Sequence, residues 1–315
     1  MLRRSAVSVV VLIGISIVIF LMLHSIYPSP GLEVLGLRAS PAQVAAWNRD
    51  HGFTRPVIVQ YWHYLDGLLH GDMGYSYKLN QSIARLLEER WARSLYLSEA
   101  SLLLALLVTI PLGIYQAVRR HRLGDHVATG LEFVLYAVPQ FLLCLLAIQV
   151  FAFTWPVFDY QASQAASLPT VMADWRSMAL PIACSAMLII ASLSRYMRSA
   201  AMETLGQDYI KVARAKGLPE RLVLSRHLLR NACLPMITLI GLSIPALLAG
   251  NLIVETIFNY DGLGTLFSAS LDKEDYFVLL AYTLVGAVLT VLGNLLADIA
   301  LMIADPRLRV TSPRH

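Results

Sequence analysis

The sequence predicts an all-α membrane protein, and two properties of its 315 residues support that fold class. The chain is 57% hydrophobic and only 15% charged, with a mean hydropathy of +0.60, whereas soluble domains carry about 25% charged residues. Several apolar segments also reach roughly 20 residues, the length that a helix needs to cross about 30 Å of hydrocarbon. We therefore expect much of the surface to lie in lipid.

Six membrane-spanning helices are predicted. They cover residues 6–26, 95–118, 127–153, 177–197, 233–257 and 276–304. The predicted organisation is an anchor helix at 1–27, an extracytoplasmic cap with helical stretches at 28–94, a five-helix core at 95–306 with a loop at 198–232, and a cytoplasmic tail at 307–315. The first span follows Arg3 and Arg4 and lacks a clear small-x-small cleavage site, so we expect it to remain attached.

Positive charges predict the orientation of the spans. With both termini in the cytoplasm, that side holds sixteen lysines and arginines, and the outer side holds nine. Seven of those nine lie in the long cap, and segments longer than about 60 residues count little in the positive-inside rule. Cytoplasmic N- and C-termini are therefore the predicted arrangement.

No pattern of catalytic or metal-binding residues is present. Cys144, Cys184 and Cys233 lie in or at the end of apolar segments, without metal-site spacing or nearby histidines, and are interpreted as packing residues. The chain has no His-Glu-x-x-His, no Gly-x-Ser-x-Gly and no phosphate-binding Gly-x-x-x-x-Gly-Lys-Ser/Thr loop. A membrane-embedded hydrolase is therefore disfavoured, and no ATP site is predicted in this chain.

The loop between the fourth and fifth spans carries the most informative pattern. Gly206 is placed to end the helix that leaves the membrane, Asp208 to cap a short new helix, and Gly217 to close it. Pro219 suits the first residue of a helix that returns to the membrane. These signals predict a short docking helix across the cytoplasmic face. The alternative interpretation is a basic loop that rests on anionic lipid headgroups, which its eight positive residues would suit.

This loop resembles a known family. DYIKVARAKGLP, followed by RHLLRNACLP, is similar to the coupling-loop motif of ABC importer permeases in their dipeptide and oligopeptide form, as a B-type permease. Lys-Val-Ala stands where the general motif has Glu-Ala-Ala, and the spacing to Leu-Pro is longer, as in the peptide branch. The residues that match the ATPase-coupling motif are Asp208, Tyr209, Ile210, Lys211, Val212, Ala213, Arg214, Ala215, Lys216, Gly217, Leu234 and Pro235.

Further segments resemble the same family: Arg55–Tyr77, Ile253–Leu266 and Leu296–Val310, whereas Tyr27–Gly31 departs from its usual Pro-Gly-Asp-Pro. The resemblance implies an outer gate and binding-protein dock that includes Tyr77, Glu255, Tyr260, Gly262 and Gly264. Polar residues within or near the spans are candidates to line the pathway, namely Gln140, Gln149, Asn251 and Asn294.

The resemblance implies a permease subunit of an ATP-driven importer of di- and oligopeptides in the bacterial plasma membrane. Its implied partners are a homologous second permease, two cytoplasmic ATPases that bind ATP and Mg²⁺, an extracytoplasmic substrate-binding protein and the bilayer, with no nucleic acid and no cofactor on this chain. Similar permeases serve nickel chelates, glutathione or sugars. An ion-coupled secondary carrier is disfavoured, because the sequence shows no internal repeat and places its ionisable residues toward helix ends.

Overall fold

The computed structural model describes residues 2–26, 29–36 and 38–304. Its regular structure there is helical, apart from one antiparallel pair of two-residue strands, β1 (Tyr75–Ser76) and β2 (Gln81–Ser82). The predicted all-α class therefore needs this small hairpin added. The predicted tail at 307–315 lies outside the described residues.

The helices follow one another with short connections. In chain order they are α1 (Leu2–Ile26), α2 (Pro30–Leu35), α3 (Pro41–Asp50), α4 (Val57–Leu69), α5 (Ile83–Val118), α6 (Leu123–Ala137), α7 (Gln140–Ile148), α8 (Leu168–Ala173), α9 (Trp175–Leu205), α10 (Asp208–Ala215), α11 (Glu220–Leu222), α12 (Leu229–Ala249), α13 (Leu252–Ile257), α14 (Leu263–Asp272) and α15 (Tyr276–Ala304). Two π-helical segments, Gln149–Thr154 and Val223–Leu228, follow α7 and α11.

Three of the described helices are long and apolar enough to cross a membrane: Ile83–Val118, Trp175–Leu205 and Tyr276–Leu296. A fourth candidate is the pair Leu123–Ala137 and Gln140–Thr154, whose axes meet at 104°. The predicted third span at 127–153 is therefore bent. Pro139 explains the break, because it has no N–H to continue the helix and its ring disfavours helical backbone at the preceding residue.

Two other predicted spans also differ from the helices. α5 begins at Ile83 rather than at residue 95, because its first turns are held by buried Ile83 and Leu86 against Leu263 of α14. The predicted span at 233–257 is two helices, since α12 ends at Ala249 and Gly250 has a φ of +82°. That left-handed conformation is readily available only to glycine.

The chain divides into two compact units. The first contains the described residues up to Ser94, together with Leu248–Leu252 and Asp261–Val291. Its core has two clusters. One packs Phe20, Tyr61 and Leu280, and the other includes Ile83, Leu86 and Leu266. The first unit thus joins the segment 29–94 to parts of several predicted spans.

The second unit contains Leu95–Leu247, Ile253–Tyr260 and the described residues from Leu292 onward. One of its clusters packs Cys144, Cys184, Phe258 and Tyr260, and another packs side chains of α5, α9 and α12. A third, smaller cluster lies under α10. This unit therefore holds the loop that the sequence singled out.

Candidate functional site

α10 is a two-turn helix that begins at Asp208. Gln207 precedes it in extended conformation, with φ −71° and ψ 148°, and forms no side-chain cap. The prediction that Asp208 is the capping residue is therefore wrong, because Asp208 already belongs to the first turn. Its carboxylate instead accepts a hydrogen bond from Lys211 Nζ at 2.9 Å, which holds the pKa of Asp208 below its usual range. A negative charge there also suits the positive end of the helix.

A glycine closes α10, as predicted. Gly217 has a φ of +75°. Its N–H donates to Arg214 O at 3.0 Å, and the N–H of Leu218 donates to Ala213 O at 3.3 Å. These two bonds form a Schellman motif, which needs a left-handed residue after the helix. Gly206 differs, because it ends α9 with right-handed helical angles, φ −74° and ψ −14°.

The two faces of α10 have different surroundings. Ile210 is fully buried and packs, with Ala213, against Val223 and the partly buried Leu218. Val212 on the other face is 51% exposed, and Tyr209 there is 42% exposed. One apolar face therefore anchors the helix to its own chain. The other remains available for a partner.

An ion pair ties the end of α10 to the start of the returning helix. Arg214 Nε lies 3.1 Å from one carboxylate oxygen of Glu220, and Arg214 Nη2 lies 2.6 Å from the other. Both side chains are about half exposed, so the pair contributes roughly 0–1 kcal/mol. Its two-point geometry serves mainly to orient α10 relative to α11.

α10 is carried by a buried stem. Met197 and Ala201 near the end of α9 pack against Leu228 of the π-helical segment and against Ala232 and Met236 of α12, and all five are at most 1% exposed. We call these five side chains the stem. The π-helical segment links α10 to the stem, because its Val223 packs under α10 and its Leu228 belongs to the stem.

α5 packs against the same stem without room for a side chain at Gly113. A Cβ on Gly113 would lie 2.6 Å from Met197 Cγ and 3.0 Å from the backbone nitrogen of Arg198. Since the backbone atom cannot move aside, only glycine permits this approach. α5, α9 and α12 therefore converge at the stem.

Asp125 and Arg198 form an ion pair that the sequence analysis missed. Arg198 Nε and Nη2 donate to the two carboxylate oxygens of Asp125 at 2.8 and 2.9 Å, and the N–H of His121 donates to the same carboxylate at 3.0 Å. The Asp125 side chain is 2% exposed. The pair joins the start of α6 to α9 just beside the stem. An ion pair between a buried carboxylate and a partly buried guanidinium 73 residues apart leaves no local sequence signal.

The residues predicted for an outer gate fall in both units. In the first unit Tyr77 is exposed, and Gly262 and Gly264 are buried at the start of α14. In the second unit Glu255 and Tyr260 are fully buried, and Tyr260 packs in the cluster that includes Phe258. Their assignment to a gate stays a prediction.

The turn before α14 is held by residues that the sequence analysis did not select. Arg90 Nε lies 2.9 Å from Asp261 Oδ1, and Arg93 lies 3.7 Å from the other oxygen of that carboxylate. The N–H of Leu263 donates to Ser94 Oγ at 2.8 Å. These contacts fix the turn to α5 within the first unit.

The candidate pathway residues remain predictions. Gln149 and Asn294 are exposed, whereas Gln140 and Asn251 are partly buried. Leu234 and Pro235, which end the family motif, are exposed on α12 next to the stem. Across the residues that the structure describes, no group of three or more His, Cys, Asp or Glu side chains could hold a metal ion.

Comparison with known proteins gives consistent matches along the chain. Residues 109–310 match the family "Binding-protein-dependent transport system inner membrane component", and residues 1–98 match the N-terminal region of such membrane components. The chain is 36% identical over 295 residues to the oligopeptide transport system permease protein AppB of Bacillus subtilis, covering 93% of each chain. It is 33% identical over 316 residues to the dipeptide permease DppB of Escherichia coli and 32% identical over 296 residues to the glutathione permease GsiC of Salmonella choleraesuis, with 93% of each chain covered.

Proposed function

This chain belongs to the family of binding-protein-dependent transport system inner membrane components, and from that premise we propose that it is the permease subunit of an ATP-driven importer of short peptides. The relatives named above transport oligopeptides, dipeptides or glutathione, all of which contain peptide bonds. The chain would form half of the pathway and would leave ATP hydrolysis to its partners.

The observation that carries the coupling role is the construction of α10. Its inner face is anchored by fully buried Ile210, its end is closed by Gly217, and its outer face leaves Tyr209 and Val212 exposed. A short helix that is anchored on one side and exposes Tyr209 and Val212 on the other suits a groove of an ATPase. Closure of the ATPases would then move α9 and α12 through the stem as a rigid lever.

The proposed assembly contains two permeases, two ATPases and an outer binding protein. Family membership supports a binding protein and ATPases as partners. The second permease would supply the other half of the pathway. The ATPases would bind ATP and Mg²⁺, and this chain would bind no cofactor.

The proposed topology has six spans with both termini in the cytoplasm. α1 and α12 would add two spans to the three long helices and the bent pair. Arg198, Arg214 and Lys216 then lie on the cytoplasmic side, in agreement with the positive-inside rule. The cap and α14 face outward, where the binding protein would dock.

Val212→Glu in the full complex tests the coupling role. Placing a charge on the exposed apolar face should lower peptide-stimulated ATP hydrolysis by about tenfold or more, since burying a valine is worth about 1.5–3 kcal/mol. Lys211→Gln on the same helix is the matched control and should keep nearly full activity. A lipid-bound loop predicts the reverse order of effects, which would refute the coupling assignment.

Transport assays in proteoliposomes test the activity itself. Uptake of a labelled dipeptide should require ATP, the ATPases and the binding protein. Uptake driven by an ion gradient without ATP would contradict the proposal and favour a secondary carrier.

A further inference from the structure

A cavity of about 390 Å³ lies in the first unit, and every residue that lines it belongs to that unit. This volume falls within the range of small-molecule sites, about 300–1,000 Å³. None of its lining residues belongs to α10 or to the stem. The cavity is therefore separate from the coupling site.

The floor of the cavity is apolar and is formed by α1, α15 and the loop before α4. Phe20 of α1 and Leu280 of α15 are buried, and Phe53 and Phe277 line the cavity with them. Phe20 lies within the last two turns of α1, and Leu280 lies within the first two turns of α15. Under the proposed topology, both positions lie at the outer boundary of the bilayer.

The rim of the cavity carries opposite charges. Asp50 and Arg55 both line it, and within the part of the chain that the structure describes no ion pair joins the two. Arg55 Nη1 instead contacts His63 Nε2 at 2.7 Å. A carboxylate and a guanidinium that line one cavity without pairing with each other can each receive one end of a zwitterion.

Gln60 and Tyr64 complete the wall of the cavity. Gln60 Nε2 donates to Phe53 O at 3.0 Å and to Arg55 O at 2.8 Å, which fixes the stretch of chain that carries Arg55. The amide oxygen of Gln60 and the hydroxyl of Tyr64 are enclosed by the protein and do not reach the cavity surface. Asp50 and Arg55 therefore supply the charged contacts that the cavity offers.

We propose that this cavity binds a zwitterionic amphiphile. Its anionic group would lie against Arg55, its N–H donors against Asp50, and its apolar part against the aromatic floor. Two molecules share this chemistry: phosphatidylethanolamine from the outer leaflet, and a short peptide with free termini. The peptide source rests on the proposed function, whereas the lipid source does not.

The test uses the full permease–ATPase complex in nanodiscs that contain equal amounts of phosphatidylethanolamine, phosphatidylcholine and phosphatidylglycerol. Native mass spectrometry counts the lipids that stay bound, and isothermal titration with the dipeptide Leu-Phe, without ATP or binding protein, measures peptide binding. Selective retention of phosphatidylethanolamine identifies the lipid source. The headgroup of phosphatidylcholine has no N–H donors, and the headgroup of phosphatidylglycerol has no positive charge. Saturable binding of Leu-Phe, lost when its termini are blocked, identifies the peptide source.

Arg55→Gln and Asp50→Asn should each lower the retention or affinity by about tenfold or more, as expected for hydrogen bonds to charged groups. Arg49→Gln and Asp66→Asn are matched controls, because both residues are exposed on the cap and neither lines the cavity. The inference is overturned if no probe binds above its bulk proportion, or if binding is the same in all four variants. ATP-driven uptake by the same purified complexes is scored after reconstitution into proteoliposomes, so intact uptake without cavity binding would leave the proposed function standing.

Discussion

Replacement of Gly217 gives the sharpest test of how α10 is built. The φ of +75° costs about 1–3 kcal/mol for a residue with a side chain and most for a β-branched one, whereas asparagine adopts it more readily. A Cβ at Gly217 would meet no atom within 4 Å in this chain, so the cost is one of backbone conformation rather than of space.

This cost is large for so short a helix. Burial of Ile210, its main anchor, contributes about 1.5–3 kcal/mol, so a penalty of about 2 kcal/mol removes much of what holds the last turn in place. A change of that size shifts the population of the correctly closed helix by roughly thirtyfold. Peptide uptake should therefore be highest with the native Gly217, lower with Gly217→Asn, lower again with Gly217→Ala and lowest with Gly217→Val.

The assay is uptake and peptide-stimulated ATP hydrolysis by reconstituted complexes, normalised to the amount of permease in the membrane. Gly217→Val should insert normally but lose its ATPases on purification or fail to stimulate hydrolysis. Normal uptake by Gly217→Val would refute the reasoning. Equal loss of uptake in Gly217→Asn and Gly217→Val would refute the argument from backbone conformation, since the glycine would then be needed for close approach of the ATPase.

Three further predictions follow from the charges and surfaces. Asp125→Asn should impair uptake through loss of the buried pair with Arg198, and the exchange Asp125→Arg with Arg198→Asp should recover more activity than either single change, as measured by ATP-driven uptake. In a variant without the native cysteines, an impermeant thiol reagent should label a cysteine at Ser40 in intact cells and miss one at Ser225, and the reverse would overturn the topology. A photocrosslinker at Tyr77 should capture the binding protein, whereas crosslinks only from the loop 154–176 would place the dock elsewhere.

Local signals predicted the loop well but not in every detail. A helix from Asp208, closed by a left-handed Gly217, follows from glycine and amphipathic spacing, and both features are present. The capping role of Asp208 was wrong, because the chain turns one residue earlier at Gln207 and Lys211 takes the carboxylate. The Asp208 carboxylate could bond either to backbone N–H groups, as a cap, or to Lys211. Only the folded geometry shows which of the two it takes.

The breaks in the predicted spans also depend on tertiary structure, although the residues at the breaks can be read from the sequence. Pro139 and Gly250 were visible in the sequence, yet apolar runs continue through both, so hydropathy by itself did not show where the spans break. α9, by contrast, continues through Pro181. Whether such a residue breaks a helix depends on neighbouring groups that satisfy the freed backbone atoms.

The sequence by itself determined the membrane class, the family and the position of α10, because hydropathy, turn residues and motif spacing are properties of contiguous residues. Only the tertiary structure decided which residues act together. The Asp125–Arg198 pair, the stem under α10, the burial of Glu255 and Tyr260, and the cavity between Asp50 and Arg55 all depend on how helices pack. Such contacts join positions far apart in the chain, where a single sequence holds no record of which side chains meet.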